Sequence, residues 1–128
     1  MSEQQIARTI FYVAAAVNAA YGLMLLSMPE LQFALSQDPG APQNAGWVRW
    51  SGGFLIGMAF GALLATTYPT KQRPLVLGLG AGYLLISLSL LYSVISGEYQ
   101  GLHWVVLVPI AISAALALAM FWLLTKQI

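Results

Sequence analysis

Asn18, Tyr21, Tyr83, Ser87, Tyr92 and Ser113 are amide and hydroxyl groups set within long apolar runs, while Arg49 and His103 stand near the ends of such runs. Amides and hydroxyls donate and accept hydrogen bonds without ionising near neutral pH, so the chemistry they offer is recognition of a polar group. Arg49 adds a permanent positive charge suited to an anion or head group. His103 is the only histidine; a metal site needs further His or carboxylate ligands at suitable spacing, and haem or pigment ligation by a lone His needs a deeper position or a partner chain. For hydrolysis there is no Ser/His/Asp arrangement and no paired carboxylates. The expectation is therefore a protein that is not an enzyme and carries no cofactor.

The elements that must position these groups follow from composition. Of 128 residues, 59% are hydrophobic and 7% charged, and the mean hydropathy is +0.77. A soluble domain of this size cannot hide so much apolar surface. Four runs reach the roughly 20 residues that cross a hydrocarbon core: residues 9–27, 48–67, 74–95 and 104–124. None carries a charge near its middle, which argues against proton-coupled transport, since that normally requires an intramembrane ionisable group. Backbone groups in lipid must be satisfied internally, and closed barrels show short alternating segments instead, so the runs predict helices. The fold class is all-α, an integral membrane four-helix up-down bundle in a single transmembrane domain spanning residues 1–128.

Orientation follows from the bases. Arg8, Lys71, Arg73 and Lys126 fall with the termini and the second connection, whereas Arg49 falls on the opposite face. An excess of Lys and Arg marks the cytoplasmic side, which places both termini there. Trp47, Trp50, Tyr99 and Trp104 then mark the outer interface, and Tyr68 and Trp122 the inner one. The first run lacks a basic start and exceeds an ordinary signal core, so it reads as a retained span. Without cysteine, disulfides and thiolate metal sites are excluded, and a net charge of +1 gives no reason to expect nucleic acid.

The first connection begins Ser27-Met28-Pro29-Glu30. Ser27 as N-cap with Glu30 three residues on predicts a capping box and a short interfacial helix over residues 28–36, with Leu31, Phe33, Ala34 and Leu35 on the outer membrane surface. Residues 37–46, QDPGAPQNAG, read as irregular loop. The second and third connections are short and suit turns between antiparallel neighbours.

Association in lipid relies on close packing, which small residues four apart permit. The stretch VRWSGGFLIGMAFGALLA carries Gly53, Gly57 and Gly61 on one helical stripe, continued by Ala65. Similar stripes are Ala14, Asn18 and Gly22 in the first span, Gly78 and Gly82 in the third, and Ala111, Ala115 and Ala119 in the fourth. They predict packing among the chain's own helices, with a different subunit and a flat ligand as the alternative partners of the glycine ladder. The polar groups fall in the outer half, apart from Tyr83 near the middle. Asn18, Tyr21, Arg49, Tyr83, Ser87, Tyr92, His103 and Ser113 form a candidate outer pocket, with Pro109 beside them freeing a backbone carbonyl. The alternative is interhelical hydrogen bonding. For Arg49 the alternative to an anchor is a side chain that snorkels to the head groups and pairs with Glu30 or Asp38.

The stretches NAAYGLMLLSMPELQFAL and RWSGGFLIGMAFG resemble the small four-helix bacterial membrane proteins of the DoxX-like group, in which the first helix ends in a proline-bearing interfacial segment and the second opens with Arg and glycines. The resemblance covers mainly residues 18–61 and implies a bacterial inner (plasma) membrane protein. Some members of that group are described as partners of quinone-linked oxidoreductases, which implies an accessory role; no residue here matches an established catalytic motif of the group. Two functions stand side by side. One is a non-catalytic structural or accessory subunit packing against other membrane subunits of a larger complex, such as a redox or energy-converting one. The other is binding or transport of a lipid, a quinone or another small hydrophobic or amphipathic molecule through the outer-half pocket.

Overall fold

The computed structural model describes residues 1–39 and 45–128; residues 40–44 of the expected 37–46 loop lie outside these, and Ala45 and Gly46 open a helix instead. Five helices follow in order: α1 (Glu3–Ser27), α2 (Pro29–Ser36), α3 (Ala45–Ala65), α4 (Arg73–Ile95) and α5 (His103–Leu124). No strand occurs among the described residues. Helices α1, α3, α4 and α5 are each long and apolar enough to cross a membrane. About a quarter or less of each span's most apolar window is buried, 22–28%, so most of their apolar surface points outward.

Local signals set the helix ends. A capping box does occur, but at Ser2 and Gln5, where it starts α1 one and a half turns ahead of the expected boundary. The one expected at Ser27 and Glu30 does not form. Ser27 belongs to α1, which it closes, and its hydroxyl donates back to the Leu23 carbonyl; α2 takes Met28 as its N-cap, with no side-chain cap, and begins at Pro29. Helix α4 stops where Gly97 takes a φ of +78°, a left-handed conformation that glycine adopts without steric cost.

Two helix pairs make the bundle. Helix α1 packs along α3 and α4 along α5, with smaller contacts from α1 to α5 and from α2 to α1, α3 and α5. The α1–α3 crossing is a backbone-to-backbone approach. A Cβ at Gly52 would lie 2.7 Å from the Leu26 nitrogen and 2.8 Å from the Gly22 oxygen, and one at Gly22 would lie 2.9 Å from the Gly52 oxygen. In the other pair Gly80 approaches Met120, whose Cβ would be 3.2 Å from an added methyl.

This corrects the expected ladder. A Cβ on Gly53, Gly57 or Gly78 would meet nothing within 4 Å, and on Gly61 and Gly82 it would meet only side-chain tips, of Leu75 at 3.6 Å and Met58 at 3.8 Å. The buried face of α3 is Gly52, Ala59, Ala62 and Ala65. Ala111 and Ala115 are exposed and Ala119 half-buried, while Ser113, Leu116, Ala117 and Met120 face inward. The reason is that the span offers small residues on more than one stripe, and an outer surface as apolar as the inner one gives no polarity difference by which to choose. In α1 the stripe of Ala14, Asn18 and Gly22 is buried as expected.

The two ends of the molecule are fastened by different means. At the end holding the termini, the Arg8 guanidinium donates to the Thr66 carbonyl at 3.1 Å and Lys126 pairs with Glu3 at 2.8 Å. Gln127 donates to the Pro69 carbonyl at 3.0 Å, and the Ile128 amide to Thr70 at 2.8 Å. The dense core lies in this half, where Ala7, Phe11, Ala62, Val76, Met120 and Leu123 are all fully buried. At the other end the turn between α4 and α5 grips α2: the Leu102 amide donates to the Ser36 carbonyl at 2.7 Å, and Gly101 lies too close to that carbonyl for any side chain.

Because the Gly52 approach is backbone on backbone, Gly52→Ala must push α1 and α3 apart. We expect a loss of about 1–3 kcal/mol in thermal or denaturant unfolding of the purified protein. Gly57→Ala is expected to leave the chain's own stability unchanged or raised by up to about 1 kcal/mol.

Candidate functional site

Between the two pairs, toward the α2 end, lies a cavity of about 530 Å³, within the range of about 300–1,000 Å³ that small-molecule sites occupy. Its deepest groups are Asn18 on α1, Tyr83 on α4 and Ser113 and Leu116 on α5, all buried. Its walls are apolar: Val17 and Leu25 from α1, Leu55 and Met58 from α3, Ile86 and Leu90 from α4, and Val105, Pro109 and Ile112 from α5.

One polar contact spans the divide. The Asn18 Nδ2 donates to the Tyr83 Oη at 2.6 Å, joining α1 to α4 in the buried centre. Since Tyr83 accepts here, its own hydroxyl hydrogen remains a donor that a guest can use. Ser113 instead donates to the Pro109 carbonyl at 2.7 Å, serving the α5 backbone around the proline.

The cavity is open on one side. Helices α3 and α4 are successive and share a short connection, yet their backbones stay apart, and Gly61 and Gly82 face the side chains of Leu75 and Met58. Beyond these contacts, toward the α2 end, the seam widens into the cavity. Trp50 and Phe54, 62% and 64% exposed, line it from α3 and so lie at its lip. Their rings sit 5.2 Å apart, and Trp47 meets Trp50 edge-on at 6.2 Å. The amide of Gln32 on α2 closes the top.

A second cavity of about 410 Å³ adjoins the first and shares Gln32, Val48, Leu90, Val105 and Pro109 with it. It adds Ser93, Glu98, Tyr99, Asp38, Phe33 and Ser36. The Asp38 carboxylate accepts from the Gln100 amide at 3.3 Å and Glu98 from the Ser93 hydroxyl at 3.4 Å. Partial burial raises the Tyr99 phenol above its ordinary value of 10.0, and the negative field of Asp38 raises it further. Tyr99 thus stays a neutral donor, 2.7 Å from the Leu102 carbonyl and 3.4 Å from that of Ser36.

Of the eight expected pocket residues, Asn18, Tyr21, Tyr83 and Ser113 line the main cavity and four line neither. Arg49 lines neither cavity and faces Glu30 at 3.8 Å, its side chain 52% exposed; Glu30 is one of the two partners that the snorkelling alternative named. Ser87 is buried but donates across to the Ile110 carbonyl at 3.2 Å, tying α4 to α5. Tyr92 and His103 are exposed. The expectation for α2 also changes. It does not merely lie on a surface: Leu31 and Leu35 remain exposed while Gln32 and Phe33 turn into the cavities. Gln32, the one amide within the apolar stretch LQFAL, was the signal for this. No group of His, Asp and Glu among the described residues is arranged to hold a metal ion.

Removing the acceptor by Tyr83→Phe leaves the Asn18 amide buried without its partner. We expect a loss of about 1 kcal/mol in unfolding. Adding Asn18→Leu to that variant should recover part of it, because the unsatisfied group is then gone.

Compared with known proteins, the chain matches no family model, no curated protein and no solved structure.

Proposed function

We propose that this protein is an integral protein of the bacterial inner membrane that holds a small hydrophobic or amphipathic molecule between its two helix pairs. The observation that carries this reading is the apolar cavity of about 530 Å³ with a buried amide–phenol pair at its floor and an aromatic lip on its open side. A void of that size between well-packed helices would cost stability if it were empty. An occupant with an apolar body restores those contacts, and the Tyr83 hydroxyl offers it one oriented hydrogen bond.

The supporting frame is an up-down bundle with both termini in the cytoplasm. Four apolar helices favour it, as does the grouping of Arg8, Lys71, Arg73 and Lys126 at one end. The resemblance of residues 18–61 to the DoxX-like group favours the bacterial inner membrane. The chain has no native cysteine, so single-cysteine variants read the topology cleanly. In intact cells Gln100→Cys is expected to react with a membrane-impermeant maleimide and Lys71→Cys only after permeabilisation; the reverse pattern would invert the orientation.

A second reading, an accessory subunit of a larger complex such as a redox one, draws on a different observation. Gly53 and Gly57 present an open backbone face with no close neighbour among the described residues, a surface that another subunit's helix can approach closely. Gentle extraction from native membranes followed by native mass spectrometry and an absorption spectrum separates the two. The binding reading expects a monomer or homo-oligomer carrying a small molecule, which is lost in the cavity-filling variants Leu55→Trp and Ile112→Trp. A stoichiometric complex with other proteins and an empty cavity would replace it with the accessory reading.

A further inference from the structure

The two adjoining cavities differ in electrostatic character. The deep one has no charged residue in its lining. The outer one is lined by two carboxylates, Asp38 and Glu98, and by no Lys, Arg or His among the described residues. They share five lining residues, with Gln32 at the neck between them. The arginine on that side, Arg49, faces Glu30 and lines neither cavity. An anion brought into the outer cavity would therefore meet like charge, whereas a cation would meet two carboxylates of opposite charge.

We infer that the paired cavities hold a single-tailed cationic amphiphile, with its apolar tail in the deep compartment and its positively charged head in the outer one between Asp38 and Glu98. This rests on the binding reading above and adds the chemistry of the head group. The seam between α3 and α4 gives the tail a lateral way in past Trp50 and Phe54, so the head can remain at the level of α2 while the tail slides between the helices. A compact ammonium suits the site better than a guanidinium, because Asp38 and Glu98 approach it from different elements, the segment after α2 and the turn after α4, and not as one planar pair. Gln32 at the neck can hydrogen-bond a hydroxyl or carbonyl placed between head and tail.

The test uses the full chain in lipid nanodiscs and three tritiated probes with the same tail: decyltrimethylammonium, decanol and decanoate. Empty nanodiscs provide the background. We expect saturable binding of decyltrimethylammonium about tenfold tighter than decanol, with decanoate weakest, and an advantage that shrinks as ionic strength rises. In Asp38→Asn/Glu98→Gln the cation should fall to the level of decanol while decanol binding is unchanged, which also shows that the variant is folded. Equal binding of all three probes, abolished by Leu55→Trp or Ile112→Trp, would overturn the head-group inference and leave the cavity reading standing. No saturable binding of any probe would overturn both.

Discussion

The hydrogen bond from Asn18 to Tyr83 is the buried polar tie between the two helix pairs, away from the surface links at the termini. Within each pair, packing is close: Gly22 against Gly52 in one, Gly80 against Met120 in the other. Between the pairs the helices share a dense core only near the termini. A buried amide whose donor is left without an acceptor is costly, so the Asn18–Tyr83 bond fixes how far apart α1 and α4 can sit at the level where that core ends. Everything beyond it, from Leu116 up to Gln32, is arranged around the space this separation leaves.

Much of the architecture was legible in the sequence because it depends on length and hydropathy. Four runs of membrane-spanning length gave four of the five helices, and the proline after Met28 gave the short one. The clustering of polar groups in one half of the spans pointed to a cavity there, and Asn18, Tyr21, Tyr83 and Ser113 do line it. Rotational register was not legible. Gly52 and Gly53 are adjacent, so the inward stripe and the outward one begin one residue apart, and only the backbone contact with Gly22 and Leu26 distinguishes them. In a soluble helix a polar outer face would have decided the matter; here both faces are apolar.

The same limit explains the misassigned pocket residues. Arg49, Ser87, Tyr92 and His103 were grouped by depth along their helices, and depth says nothing about direction around them. Gln32, Asp38 and Glu98 were not assigned to the pocket for the opposite reason, since they lie in or beside connections and not within spans. Their placement depends on the fold of α2 back over the bundle and on the tight meeting of Gly101 with Ser36, a long-range contact with no local signature.

The uneven fastening of the two ends has a mechanical consequence. Side chains and the last backbone amides cross-link α1, α5 and the α3–α4 connection at one end, where the core is also densest. At the other, α3 and α4 are separated by open space and aromatic side chains. The far end is not free either, since the α4–α5 turn is tied to α2 through Leu102 and Ser36. The molecule is thus a slot held at both ends that yields at its side: a small shift of α3 against α4 would change its width while the fastenings stay in place.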